Sequence, residues 1–271
     1  MKTQIISVLG NLTASLLLVG LTATPAEAQA PKKVLVVTVT KGFRHSSIPT
    51  AEKVLGKLAE TSGAFTVDYV RNDDDMASKM TAATLKNYDG FIFANTTGVL
   101  PLPDKTAFLN EVKSGKAFIG MHSASDTFHG RDVAEPYIRE IDPYIDMLGG
   151  EFRTHGAQVG IECLVQDGTH PAVKHFGESF NIEREEVYLM KNYDSSRVRE
   201  LLVLDRHPNQ KNLFGRFPVA WCKKYGQGKV FYTSLGHRED VWENAAYQKH
   251  ILGGIKWSLG LEPGDAAPQM K

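Results

Sequence analysis

Cysteine is scarce in this chain: Cys163 and Cys222 are the only two among 271 residues. That excludes a disulfide scaffold and a cysteine-rich zinc site. One bridge between them and two buried thiols both remain open, since each sits in a strand-like segment. Charge of one sign is also missing, with 31 Lys and Arg against 31 Asp and Glu, so no basic stripe invites nucleic acid. There is no G-x-x-x-x-G-K-[ST] loop and no G-x-G-x-x-G after the first strand, which argues against a nucleotide cofactor. H-E-x-x-H is absent, and no repeat, low-complexity tract or interdomain linker interrupts the sequence.

The amino terminus carries Lys2, an apolar stretch from about Ile5 to Gly20, and Thr22-Ala23-Thr24-Pro25-Ala26-Glu27-Ala28. One positive charge, a short apolar core and a small-x-small exit predict a signal peptide over residues 1–28, cleaved after Ala28. Asn11, Thr13 and Ser15 make the stretch weak for a bilayer span. No cysteine follows it to take a lipid. The expectation is an exported protein, periplasmic or extracellular, with no membrane anchor after cleavage. The remaining residues suffice for one domain with a sizeable core.

Lys33–Thr40 (KVLVVTVT), Phe65–Val70, Tyr88–Ala94 and Lys116–Met121 read as strands, the first, third and fourth nearly continuous in apolar residues. Helical spacing runs over Ile48–Ser62, a short helix is expected over 78–87, and another begins at Pro103. Such alternation predicts an α/β fold with an open, mostly parallel sheet. The later strands, over 158–166, 182–189, 200–205, 217–223 and 229–235, have few helices between them, so some are expected at an antiparallel edge. A helix over Glu243–Leu259 closes a domain spanning 32–260, and 261–271 reads as a flexible tail.

Ligands of parallel sheets bind beyond the carboxyl ends of the strands. His45 and the pair His122 and His129 fall in the loops after the first and fourth strands, and His237 ends the strand GKVFYTSLG. Imidazoles gathered at one edge suit proton transfer or coordination. Gly120-Met121-His122-Ser123-Ala124 has the pattern of a nucleophile elbow with histidine at the apex. In Glu183–Tyr188 a regular strand would put Glu186 and Tyr188 on one face and Glu185 on the other. Thr40–His45 is a cationic loop, and Asn95-Thr96-Thr97 offers amide and hydroxyl partners.

Together TKGFRHSS (40–47), YDGFIFANTTG (88–98), GKAFIGMHSASDTFH (115–129), GGEFRTHG (149–156), DGTHPAVKHF (167–176), EREEVY (183–188) and FPVAWCKKYGQGKVFYTSLGH (217–237) resemble the ThuA-like, trehalose-utilisation family. The resemblance implies a flavodoxin-like, class I glutamine amidotransferase-like sheet with helices on both faces. Amidotransferases carry cysteine at the elbow and a late H-P-E; this chain has His122 and His237-Arg238-Glu239. Without a thiolate there is no acyl intermediate, and so no glutaminase chemistry. The resemblance also implies disaccharide metabolism, linked to oxidoreductases that make 3-keto sugars.

The resulting expectation is a carbohydrate-active protein with a small-molecule saccharide as its partner. His122 and His237 serve as proton-transfer groups or ligands, and Glu186 as their carboxylate. Arg44, His45, Asn95, His129, His155, Tyr188 and Trp221 shape the pocket. A divalent metal such as zinc on His122, His155 and Glu186 is one alternative. A non-catalytic sugar-binding protein is the other.

Overall fold

A computed structural model describes Met1 and residues 30–129 and 141–269. The signal-peptide expectation therefore falls, apart from Met1, outside the described residues. Among these, no helix is long and apolar enough to cross a membrane.

The chain runs β1 (Lys32–Val37), α1 (Ile48–Ser62), β2 (Phe65–Val70), α2 (Asp73–Lys79), α3 (Ala82–Leu85), β3 (Gly90–Ala94), α4 (Lys105–Lys113) and β4 (Ala117–Met121). A 3-10 turn over His122–Asp126 follows, then α5 (Pro143–Leu148), β5 (Glu151–His155), β6 (Val159–Val165), β7 (Ser179–Glu185) and β8 (Tyr188–Lys191). Next come β9 (Arg199–Leu204), β10 (Phe217–Tyr225), β11 (Gly228–Thr233), α6 (Glu239–Glu243) and α7 (Ala245–Ser258). The main sheet has the order β2-β1-β3-β4-β11-β10-β9-β6-β7; β5 and β8 form a separate antiparallel pair. Strands β2, β1, β3, β4 and β11 are mutually parallel, and the rest of the main sheet is antiparallel.

Continuous apolar strands form because both faces are covered. Val36, Ile92, Ile119 and Phe231 stand level across four strands and face α1 and α7. Their neighbours Leu35, Phe91, Phe118 and Val230 point the other way, into the core with α4 and α5. All eight are at most 1% exposed, and each such side chain contributes roughly 1.5–3 kcal/mol by burial.

Several sequence expectations shift in detail. The helix expected over 78–87 reduces to α3, capped by Thr81, and a separate short helix, α2, capped by Asn72, precedes it. The helix expected from Pro103 begins at Lys105, because Asp104 caps it. Asn244 likewise starts α7 and separates it from α6. The strand over 182–189 breaks after Glu185, and its second half joins β5 instead of the main sheet. Of the tail expected to be loose, the described residues up to Gln269 are tied back: Trp257 Nε1 donates to Gly264 O, Arg199 reaches Asp265 and Ala267 O, and Gln269 bonds Glu200. Both cysteines are buried free thiols.

Candidate functional site

The carboxyl ends of β1, β4 and β11 deliver the loops that carry the histidines, and that of β3 delivers Asn95. His122 directly follows β4 with φ 50°, a left-handed backbone that a non-glycine residue adopts at a cost. The carbonyl of His122 accepts from Tyr232 Oη at 2.8 Å, which helps hold this elbow. The loop after β11 is pinned as firmly. Gly236 O accepts from Asn95 Nδ2 (3.0 Å) and Trp242 Nε1 (2.8 Å), and His237 O accepts from Ser47 Oγ (2.8 Å). Gly236 has φ 112°, and a Cβ there would meet Tyr247 Oη at 2.8 Å, so only glycine fits.

Glu185 is fully buried and connects two of these segments. Its carboxylate accepts from the N–H groups of Gly236 (2.8 Å), His237 (3.3 Å) and Glu186 (2.8 Å). Burial raises its pKa to about 7, against the lowering effect of those three donors.

The histidines meet around one atom. His122 Nδ1–H donates to Ser234 O at 2.8 Å, which leaves Nε2 as a lone pair. Tyr188 Oη lies 2.8 Å from that Nε2, His45 Nε2 3.1 Å and His237 Nδ1 3.2 Å. Glu186 Oε2 is 3.7 Å from it and 3.3 Å from His237 Nδ1. One ligand atom from each of His45, His122, Glu186 and His237 lies within 4.8 Å of all the others. Ligands held about 2.0–2.1 Å from a tetrahedral zinc stand roughly 3.3–3.4 Å apart; the His122–His45, His122–His237 and His237–Glu186 pairs are at 3.1–3.3 Å, and the wider pairs would have to draw in around an ion.

Burial, reinforced by neighbouring His45, holds the His122 pKa well below the usual imidazole value. Burial and His237 lower His45 to about 4. Burial opposes protonation of His237 too, but the hydrogen bond and charge of Glu186 outweigh it and raise this histidine. Two neutral imidazoles and a carboxylate are a suitable donor set for a borderline-soft divalent cation. An outer layer orients them: Ser234 O on His122, Ser123 Oγ at 3.4 Å from His45 Nδ1, and His155 Nδ1 at 3.0 Å from Glu186 Oε1.

The cluster opens on a cavity of about 230 Å3 that also exposes Phe43, Ser123, Asp126, Phe152 and Tyr188. Larger concavities of about 770 and 480 Å3 lie along α1 and beside residues 205–215, and neither includes any of these side chains.

The structure brings His122, His237, Glu186, His45, Tyr188 and His155 together. His155 sits behind Glu186 and is not one of the four converging ligands; His45 and His237 take the place expected for it. Glu186 and Tyr188 both face the site because the chain turns between β7 and β8, not because a regular strand alternates. His129 lies a layer away, on Glu151 (2.9 Å) and near Asp126 (3.4 Å). Asn95 is buried and braces the loops through Ser47 and Gly236.

Two residues are corrected. Trp221 is not a pocket residue: it is 0% exposed, donates to Leu148 O at 2.8 Å and packs on Tyr232. Arg44 bonds Thr38 O and borders a separate surface cleft with Arg71. Phe43, Asp126, Phe152 and Ser234 were not foreseen individually. All four lie inside segments flagged for their histidines, but none carried a signal of its own.

Residues 33–258 match the family model described as ThuA, trehalose utilisation. The chain belongs to the ThuA trehalose-utilisation family. A putative ThuA-like protein from Parabacteroides merdae is 21% identical, with a TM-score of 0.66 over 84% of this chain and 90% of that one. One from Bacteroides uniformis is 20% identical, with a TM-score of 0.63 over 87% and 95%. The fold also matches 32% of a β-galactosidase from Rahnella sp. R3, at 10% identity and a TM-score of 0.52 over 86% of this chain. These likenesses establish a shared fold, in agreement with the flavodoxin-like architecture. No curated protein matches the sequence.

Proposed function

We propose that this ThuA-family protein is a metal-dependent carbohydrate-active enzyme. Its cation, zinc or a similar divalent ion, is held by His45, His122, His237 and Glu186. One observation carries the reading: three polar groups crowd a single His122 lone pair at 2.8–3.2 Å. A neutral imidazole nitrogen accepts one good hydrogen bond, whereas a cation at the centre gives each lone pair a partner. The ion supplies Lewis acidity toward a sugar carbonyl or hydroxyl oxygen. Tyr188 and Asp126 stand at the same cavity as polar partners for the substrate.

The family description, trehalose utilisation, supports a disaccharide, a glycoside or a 3-keto derivative as substrate. A sugar oxidoreductase is the class of enzyme that supplies the keto form. Residues 1–28 support export, so the reaction belongs in the periplasm or outside the cell.

The test strips the protein with chelator, titrates zinc, and follows a panel of disaccharides and 3-keto disaccharides by NMR. One zinc per chain, lost in His122→Ala and His237→Ala together with turnover, supports the proposal. Substoichiometric metal in every preparation removes the metal; zinc and sugar binding without any product removes the enzyme.

A further inference from the structure

The cavity over the cluster is small for a disaccharide. Its volume of about 230 Å3 lies below the roughly 300–1,000 Å3 usual for enclosed ligand sites, so it covers one part of such a ligand and leaves the rest at the mouth. Phe43 stands there, contributing to the cavity lining yet 67% exposed. A single exposed apolar side chain is ordinary. This one is unusual in how firmly its backbone is held.

Thr97 ties the loop down. Its Oγ1 donates to Phe43 O at 2.9 Å and accepts from Gly42 N at 3.2 Å, while its carbonyl accepts from Lys41 N at 2.8 Å. Gly98 allows the close approach: a Cβ there would sit 2.9 Å from Gly42 N. The Phe43 ring stands edge-on to His45, with centroids 4.8 Å apart, so the strand-loop segment that supplies a ligand also places the phenyl. Phe152, also at the cavity, packs on Tyr188 at 4.5 Å. The cavity is therefore polar at its floor and aromatic at its sides.

A phenyl ring has no hydrogen bond to offer. It complements the C–H face of a pyranose or an aromatic aglycone, and a pre-placed ring loses little freedom when it binds. Resting on the carbohydrate reading above, we propose that Phe43 is the platform for the second unit of a glycoside, whose first ring occupies the cavity over the histidine cluster. The site thereby selects disaccharides and aryl glycosides over free monosaccharides.

The experiment compares wild type, Phe43→Ala and Phe43→Trp, each zinc-loaded. Trehalose, cellobiose and 4-nitrophenyl glucoside are titrated beside methyl glucoside by calorimetry, with zinc content measured separately. Phe43→Ala should weaken the two-unit ligands about tenfold, Phe43→Trp should restore them, and methyl glucoside and zinc should be unaffected. Equal weakening of one-unit and two-unit ligands, or none, overturns the inference. Wild type that takes zinc but no saccharide overturns it and leaves the metal centre standing. Phe43-dependent glycoside binding in protein that cannot hold zinc supports it and removes the metal centre.

Discussion

Replacing His250 by asparagine should flatten the acid lability of this fold by a calculable amount. His250 is on α7, wholly buried between Phe231 and Phe176, and its Nδ1–H donates to Ala172 O at 2.9 Å. Burial drives its pKa from 6.5 down to about 3. The folded value is below the unfolded one, so the unfolded chain takes up the proton first. Stability is full above about pH 6.5 and is lost as pH falls toward 3. At about pH 4.5, two units below the unfolded pKa, the loss is about 2.7 kcal/mol at 1.36 kcal/mol per unit. Asparagine keeps a donor for Ala172 O but cannot take up a proton. Urea unfolding at about pH 7.5 and 4.5 should therefore show the stability gap between wild type and His250→Asn shifting by about 2.7 kcal/mol in favour of the variant. The difference isolates His250 from His170, lowered to about 4 by burial, and from Glu185, whose raised pKa acts with the opposite sign. A gap that moves by less than about 0.5 kcal/mol would refute the argument.

Two further variants probe the supports of the site. Glu185→Ala leaves the N–H groups of Gly236, Glu186 and His237 without their acceptor. At about 1–3 kcal/mol per buried donor it should cost at least about 3 kcal/mol and lower Tm on the order of 6–12 °C, with zinc affinity down more than about tenfold. Scanning calorimetry and zinc titration read both, and unchanged values would mean that the carboxylate anchors nothing. Trp221→Phe should cost about 2–3 kcal/mol through the lost Leu148 bond and ring volume, leaving zinc and saccharide affinity as in wild type. A selective loss of sugar binding in that variant would return Trp221 to the pocket.

What could be read in advance follows physical range. Strands β1, β3 and β4 were legible because burial on two faces leaves apolar runs, and α1 because Ala51, Val54, Leu55 and Leu58 repeat at helical spacing. The helix over 78–87 was misplaced because side-chain caps at Asn72 and Thr81 set the boundaries there, and α6 was missed because five residues carry too short a pattern to register. His122 and His237 were visible as strand-end histidines, but their contact joins residues 115 positions apart, and His45 lies 77 positions from His122. Which imidazoles converge is decided by strand order, and no local pattern records that order. Trp221 stayed ambiguous for the complementary reason: an indole buried in a sheet and one facing a sugar look alike in sequence.

The elbow itself bears on what kind of chemistry can occur here. In the amidotransferase pattern a strained turn lifts a nucleophile above the sheet, where substrate can reach it. His122 keeps the strain, with φ 50°, but it is 0% exposed. One ring nitrogen is committed to Ser234 O, and the other is enclosed by Tyr188, His45 and His237. Attack on a carbon from that nitrogen would require displacing all three neighbours. Donation of the same lone pair to a cation requires only that the cation enter among them. The turn that serves amidotransferases by presenting a side chain outward therefore serves this chain by directing one inward, and the open side of the site passes to the cavity between Phe43 and Phe152. Under the proposed function, substrate would meet the edge of the cluster at His237 and Glu186, both of which line that cavity, with His122 beneath.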